Sequence, residues 1–193
     1  MNYLFDMDGV LVDSREAWFR SMQEIGNISR EEFEEKYWGR DLEENLRELG
    51  AERDHFCNCT LVRYVDLIDP VPGAAVVLAA LEGKKALITN TTRDCTDHIL
   101  ERLELKKYFD TIITSDEVKK GKPDPDLLYR AMEQLGAAAE DTVVIGDSQH
   151  DIQAGRAAGC LTVGIGIEGD LKAERLKDLP SMVSQIEDRL ANR

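Results

Sequence analysis

The stretch YLFDMDG at residues 3–9 joins a short apolar run to two carboxylates and a glycine. Its apolar residues do not alternate with polar ones, which is typical of a strand buried on both faces of a parallel sheet. Similar runs rich in Val, Ile, Leu and Thr occur at residues 86–89, 111–114, 142–145 and 161–165. Helices are predicted between these runs, at residues 74–82, 94–105, 125–135 and 149–158. The sequence therefore predicts an α/β fold with a doubly wound, mainly parallel, Rossmann-like sheet.

The segment from residue 14 to residue 71 breaks this alternation. Its patterns predict only helices, at residues 15–25, 30–36, 42–49 and 54–68. The turn-forming residues DPVPG at 69–73 then mark the return to the sheet. We therefore predict an α/β core domain of residues 1–13 and 72–193, with a small all-helical cap domain of residues 14–71 inserted after the first strand.

The composition limits the partners. The 193 residues include 24 Lys and Arg against 38 Asp and Glu, a formal net charge of −14. Such an acidic surface repels phosphate backbones, so we expect neither a nucleic-acid partner nor an anionic membrane surface. No apolar stretch approaches the roughly 18 residues of a membrane span. The four cysteines are scattered, so a cytoplasmic, reducing location is the simplest interpretation. The oligomeric state is unknown at this level.

Polar side chains follow each predicted strand, at the edge of an open sheet where ligands bind. Asp6, Asp8 and Gly9 follow the first strand. The others, in chain order, are Thr89, Asn90, Lys122, Asp147, Ser148 and Asp151. The sequence thus predicts that several carboxylates, one lysine and neutral hydrogen-bond donors meet at one rim.

Clustered carboxylates repel one another unless a cation lies between them. Oxygen ligands of this kind suit a hard ion, Mg²⁺ in particular, which keeps positions open for a substrate phosphate. Lys122 would add a second positive charge on the phosphoryl oxygens, and Thr89 and Asn90 would donate to them. This combination predicts phosphoryl transfer, in which catalysis is mostly positioning and charge neutralisation.

Four motifs carry a family resemblance. They are DMDGVLVDS at residues 6–14, ALITNTT at 86–92, GKPDP at 121–125 and VVIGDSQHDIQAGRAAG at 143–159. In this order, each at a strand end, they resemble the signatures of the haloacid dehalogenase-like (HAD) superfamily of phosphohydrolases. The short helical insert resembles the cap of the subgroup that contains phosphoglycolate phosphatase and β-phosphoglucomutase.

The resemblance implies a role for each motif residue. Asp6 is the expected nucleophile, which forms an aspartyl-phosphate, and Asp8 the expected general acid and base. The Asp6 side chain, the Asp8 backbone carbonyl and Asp147 are expected to hold Mg²⁺, and Gly9 allows the sharp turn between them. Thr89 and the Asn90 amide are expected to bind phosphate oxygens together with Lys122. Retention of Asp8 favours phosphatases and phosphomutases over enzymes that cleave carbon–halogen or carbon–phosphorus bonds.

Three further residues have less specific expected roles. Asp151 is expected to support the waters of the metal or to orient Lys122, or it stabilises a helix dipole. Ser148, next to Asp147, is a supporting residue. Arg40 in the cap is a candidate for binding an anionic part of a substrate, or it pairs with Asp41, Glu43 or Glu44.

The function expected from these observations is Mg²⁺-dependent hydrolysis of a small phosphate monoester, most like that of phosphoglycolate phosphatase. A small cap favours a phosphorylated metabolite over a macromolecule. A phosphomutase of the β-phosphoglucomutase type and an inorganic pyrophosphatase stay open as alternatives. A non-catalytic binding protein on the same scaffold is disfavoured, because none of the expected catalytic positions is substituted.

Overall fold

The computed structural model describes the backbone of residues 1–193 and the side chains of residues 1–57 and 59–193. The strands are β1 (Asn2–Phe5), β2 (Val12–Asp13), β3 (Asp69–Pro70), β4 (Lys85–Thr89), β5 (Thr111–Thr114), β6 (Thr142–Gly146), β7 (Leu161–Ile165) and β8 (Leu171–Ala173). The α-helices are α1 (Arg15–Gly26), α2 (Arg30–Glu32), α3 (Leu42–Leu49), α4 (Arg53–His55), α5 (Ala74–Ala80), α6 (Arg93–Arg102), α7 (Asp126–Leu135), α8 (Gln149–Ala157) and α9 (Leu179–Ala191).

Six of these strands form one sheet in the order β5-β4-β1-β6-β7-β8. Each neighbouring pair in it is parallel. The central strand β1 pairs with β4 on one side and β6 on the other, and Phe5 lies opposite Leu87 and Ile145. The carboxyl ends of β1, β4 and β6 therefore meet at the same edge of the sheet.

Both faces of the sheet are covered, because successive strand residues point to opposite sides. Leu4, Ile88 and Val144 belong to one buried cluster, which also contains residues of α7 and α8. Tyr3 and Phe5 belong to the other cluster, which contains residues of α5, α6 and α9. This arrangement confirms the predicted doubly wound α/β fold, and burial on both faces explains why the strands are continuously apolar.

The segment between β1 and α5 contains α1 to α4, the π-helical stretches Phe33–Tyr37 and Phe56–Thr60, and the 3₁₀ stretch Leu61–Leu67. A two-stranded antiparallel ribbon of β2 and β3 lies where this segment begins and ends, with Val12 opposite Pro70. The expectation of helices alone over residues 14–71 is therefore wrong at β3. Strands of two residues are too short to show a hydrophobic period. The division of the chain into core and cap domains stays a prediction.

The predicted elements match the structure closely in the sheet and less closely elsewhere. The strands over residues 111–114 and 161–165 have the predicted bounds, whereas β8, at the sheet edge, was not predicted. The predicted helix over 54–68 is helical but changes type twice. Within it Phe56 stacks on Trp18 with ring centroids 5.7 Å apart, and such tertiary contacts override local propensity. None of the helices described is long and apolar enough to cross a bilayer.

Two of the four cysteines are paired, which corrects the interpretation that all four are scattered singly. A disulfide joins Cys57, in the helical insert, to Cys95 in α6, and the two Cα atoms are 5.2 Å apart. Cys59 and Cys160 are free thiols. The partners are 38 residues apart in the chain, so sequence spacing alone did not indicate the pair.

Candidate active site

The candidate site lies where the order of the strands reverses. The chain leaves β1 for β4 on one side and later enters β6 on the other side. Asp6 directly follows β1, Thr89 ends β4, and Asp147 directly follows β6. Open α/β sheets bind ligands in the crevice at such a switch point, so the topology places three of the predicted residues at one crevice.

Three carboxylates form the centre of this site. One oxygen from each of Asp6, Asp147 and Asp151 lies within 4.8 Å of the other two. Lys122 Nζ lies between two of them, 2.6 Å from Asp6 Oδ1 and 2.7 Å from Asp151 Oδ1. Lys122 and Asp151 are fully or almost fully buried. The structure thus brings together four of the predicted residues from three separated segments of the chain.

The electrostatics of the cluster indicate excess negative charge. Burial, reinforced by Asp151 and Asp147, raises the pKa of Asp6 well above its usual range, although Lys122 opposes the shift. Burial and the charge of Asp151 raise the pKa of Asp147 to about 7. Burial lowers the pKa of Lys122, but the carboxylates of Asp151 and Asp6 outweigh this effect and the net shift is upward. Lys122 is therefore charged, and it neutralises only part of the cluster.

A divalent cation fits this donor set. When all three are ionised, the carboxylates carry three negative charges, and the ammonium of Lys122 contacts two of them. The remaining charge and the all-oxygen ligands suit Mg²⁺. Asp6 and Asp147 would hold the ion with the Asp8 carbonyl, because both oxygens of Asp151 already accept hydrogen bonds from protein groups.

Asp151 is fixed by the start of α8. Its Oδ2 accepts hydrogen bonds from Ser148 N at 3.1 Å and Ser148 Oγ at 2.6 Å, while Ser148 caps the helix. Its Oδ1 accepts a hydrogen bond from Lys122 Nζ at 2.7 Å. Asp151 therefore orients Lys122 and stabilises the helix end at once, so these two of the three roles considered for it are compatible.

Asp8 is held by donors that sequence reasoning missed. Its Oδ1 accepts hydrogen bonds from Ser14 Oγ and from Trp18 Nε1, the latter at 2.7 Å. Its Oδ2 accepts one from Thr91 Oγ1 at 3.0 Å. Ser14 and Thr91 lie within the first and second motifs and could have been singled out there, whereas Trp18 gave no local signal.

Thr89 and Asn90 end β4 beside the cluster. Thr89 Oγ1 accepts a hydrogen bond from Thr91 N at 3.1 Å. The Asn90 side chain accepts from Lys122 N at 2.7 Å and donates to Lys122 O at 2.9 Å. Asn90 Nδ2 also lies 3.3 Å from Gly39 O in the insert. The Asn90 side chain thus positions the lysine loop, which leaves phosphate binding to its backbone amide as an untested expectation.

A cavity that is partly open to solvent lies above the cluster. The predicted residues Asp6, Asp8, Thr89, Asn90, Lys122, Asp147, Ser148 and Arg40 line it. Arg40 lies in the helical insert, where its guanidinium contacts Glu44 at 3.2 Å and Glu48 at 2.8 Å. The pairing with Glu44 was among the alternatives considered for Arg40.

Comparison with known proteins agrees with this geometry. Residues 3–165 match the family model described as haloacid dehalogenase-like hydrolase. Pyrophosphatase PpaX of Halalkalibacterium halodurans is 31% identical over 183 residues, which cover 86% of this chain and 85% of that protein. Phosphoglycolate phosphatase of Escherichia coli is 40% identical over 97 residues, which cover 49% of this chain and 38% of that protein.

Among solved structures, a hydrolase from Pseudomonas syringae superposes with a TM-score of 0.80 and 26% identity, covering 96% of this chain and 99% of its own. The resemblance predicted from the four motifs is thereby confirmed, as is the fold class. The chain belongs to the haloacid dehalogenase-like hydrolase family, in which its named relatives are phosphatases.

Proposed function

We propose that the chain is a Mg²⁺-dependent phosphatase that hydrolyses a small phosphate monoester through an aspartyl-phosphate intermediate on Asp6. The observation that carries the proposal is the contact of Lys122 Nζ with Asp6 Oδ1 at 2.6 Å. A nucleophilic carboxylate beside a fixed ammonium, at a switch point lined by further carboxylates, suits attack on a dianionic phosphoryl group.

In the first step an oxygen of Asp6 forms a bond to phosphorus while the bond from phosphorus to the leaving oxygen breaks. Asp8 gives its proton to that oxygen, so an alcohol departs and Asp6 carries the phosphoryl group. In the second step Asp8 removes a proton from water, and the water oxygen bonds to phosphorus. The bond to Asp6 then breaks, which releases inorganic phosphate and restores both carboxyl groups.

The remaining residues neutralise the charge of the phosphoryl group and position it. Lys122 faces the phosphoryl oxygens with its ammonium, and Asp151 keeps that ammonium in place. Mg²⁺, when bound by Asp6, Asp147 and the Asp8 carbonyl, would supply further positive charge to the phosphoryl oxygens. Thr89 and the Asn90 amide would donate hydrogen bonds to the same oxygens, in line with their position at the end of β4.

The relatives leave the substrate open within this class. One is named a pyrophosphatase and another a phosphoglycolate phosphatase, so both reactions are candidate activities for this chain. A phosphomutase would use the same residues but return the phosphoryl group to a sugar. A cytoplasmic location also stays a prediction, and the Cys57–Cys95 disulfide is a bond that a reducing compartment would tend to break.

The test is release of inorganic phosphate from a panel of small phosphate esters, with Mg²⁺ and with a chelator. We expect Mg²⁺-dependent release that Asp6→Asn and Asp8→Asn reduce at least about a thousandfold. Asp66→Asn is the matched control, since the Asp66 side chain is 92% exposed, and it should retain full activity.

Unchanged turnover in Asp6→Asn would refute the assignment of Asp6 as the nucleophile. Conversion of a sugar 1-phosphate to a 6-phosphate without phosphate release would instead identify a mutase, and no turnover of any ester would favour a binding protein.

A further inference from the structure

The cavity above the carboxylate cluster has two unlike halves. The half formed by the sheet edge is polar and contains the catalytic candidates. The half formed by the helical insert is mostly apolar and aromatic, and is made of Trp18, Met22, Phe33, Tyr37, Trp38 and Leu42. Because the phosphoryl group belongs at the polar half, the organic part of a substrate would lie against the apolar half.

Besides Arg40, one further polar side chain interrupts the apolar half. Asn45, in α3, lines the cavity and is 1% exposed. Its Nδ2 donates a hydrogen bond to Tyr37 O at 2.8 Å, which fixes the orientation of the amide because a carbonyl oxygen can only accept. Its Oδ1 is shielded from solvent and has no hydrogen-bond partner among the described residues. Buried acceptors are rarely left without a donor, and the cavity that Asn45 lines is the place where a ligand can supply one.

The cations near this half of the cavity are already paired. Arg40 contacts Glu44 and Glu48 at 3.2 and 2.8 Å. Arg15, whose guanidinium carbon lies 4.5 Å from the centre of the Trp38 ring, forms an ion pair with Glu34. A second anionic group on a substrate would therefore be desolvated against aromatic rings without a free positive charge, which is unfavourable.

We propose that Asn45 is a specificity-determining residue that accepts a hydrogen bond from a hydroxyl group on the organic part of the substrate. The substrate class is then a phosphate monoester of a neutral, hydroxyl-bearing alcohol, rather than an ester with a carboxylate or a second phosphate. This inference rests on the proposed phosphatase function and extends it from the phosphoryl group to the leaving group.

The test uses sets of three esters that differ only at the far end of the leaving group. One set is ethyl phosphate, 2-hydroxyethyl phosphate and phosphoglycolate. Corresponding sets with longer alkyl chains or a benzyl group place the hydroxyl farther from the phosphate. In at least one set we expect kcat/KM for the hydroxyl member to exceed that of both other members by about tenfold or more, because a site built around a buried acceptor rejects analogues that lack the donor.

Asn45→Leu separates recognition from structural support. Loss of the Tyr37 contact would lower kcat/KM for all members of a set alike, whereas loss of the acceptor would lower it for the hydroxyl member alone. We expect the preference for the hydroxyl member to fall about tenfold in Asn45→Leu and to be unchanged in Asn192→Leu, whose parent side chain is exposed.

Four results would overturn the inference. If the wild-type chain prefers phosphoglycolate or pyrophosphate, the inference about the substrate is wrong but the phosphatase proposal still holds. The same conclusion follows if the members of every set are hydrolysed equally well. An unchanged preference in Asn45→Leu removes the role of Asn45. If that variant does not fold, the wild-type panel still decides the substrate class. No phosphate release from any ester would overturn the proposed function and this inference with it.

Discussion

Gly9 and Asp147 are in such close contact that a methyl group at Gly9 would lie 2.0 Å from Asp147 Oδ2. Gly9 has a φ of +82°, in the left-handed region that favours glycine. It lies in the turn after β1, whereas Asp147 follows β6. The absence of a side chain at Gly9 is therefore what allows the Asp147 carboxylate to reach the site of Asp6.

Gly9→Ala should displace the Asp147 carboxylate and lower kcat/KM by about a hundredfold, because displacements near 1 Å at a catalytic group have effects of that size. The matched control is Gly136→Ala, since Gly136 has a φ of +62° and nothing within 4 Å of its added methyl group. The control should lose about 1 kcal/mol of stability from backbone strain and keep its activity. Equal activity in the two variants would show that the contact does not matter.

The stability of the metal-free chain should fall as the pH rises, because the pKa of Asp147 is raised in the folded state. Because the pKa of Asp147 is raised from 3.8 to about 7, the folded metal-free chain binds its proton more tightly than the unfolded chain does. The stability from this group is full below about pH 4 and is lost as the pH rises through 7, by at most about 1.4 kcal/mol per pH unit. Urea unfolding with a chelator, from pH 4 to 8, should show this decline.

Mg²⁺ should counteract the decline, because an ion that binds only the folded chain stabilises it and favours deprotonated ligands. Its stabilising effect should therefore grow from pH 5 to 8. Asp147→Asn should flatten the metal-free decline and abolish most of the Mg²⁺ effect. A stabilisation by Mg²⁺ of the same size in Asp147→Asn would place the ion elsewhere.

Much of the fold and of the polar half of the site could be predicted from local sequence. Continuous apolar runs mark β1, β4 and β6, and a polar residue ends each strand or follows it directly. Asp6, Thr89 and Asp147 could therefore be predicted as site residues without knowledge of distant contacts. Asp151 could be predicted for the same reason, since it lies in the first turn of the helix after β6.

The part of the site that the helical insert forms could not be predicted in this way. Trp18 looks like any apolar residue of an amphipathic helix, yet its Nε1 reaches Asp8 across 10 residues of chain. Asn45 lies in α3 between Glu44 and Leu46 and has no motif around it. The roles proposed for both residues depend on how the insert packs on the core, and tertiary contacts of this kind leave no periodic signal in the sequence.

Trp18 should act as a positioning residue for Asp8. Trp18→Phe keeps an aromatic ring beside Phe56 but removes the Nε1 donor that lies 2.7 Å from Asp8 Oδ1. A hydrogen bond to the carboxylate that Asp8 becomes when it gives up its proton contributes about 1.5–3 kcal/mol, so kcat should fall by about 10- to 100-fold. KM should change little if Trp18 acts through Asp8, whereas a general loosening of the cavity wall would raise KM for every ester. Tyr129→Phe, at an exposed aromatic residue, is the control.

The disulfide between Cys57 and Cys95 links the helical insert to α6 and should stabilise the folded chain. It closes a loop between residues 38 apart, for which chain entropy gives about 4 kcal/mol of stabilisation. Thiol titration of the unfolded chain should therefore find two free thiols before reduction, from Cys59 and Cys160, and four after it. Cys57→Ser should lower the free energy of unfolding and make it insensitive to dithiothreitol, whereas Cys59→Ser should behave like the wild-type chain. Four reactive thiols in the protein purified without reductant would contradict the pairing, and would fit the reducing location expected from the sequence.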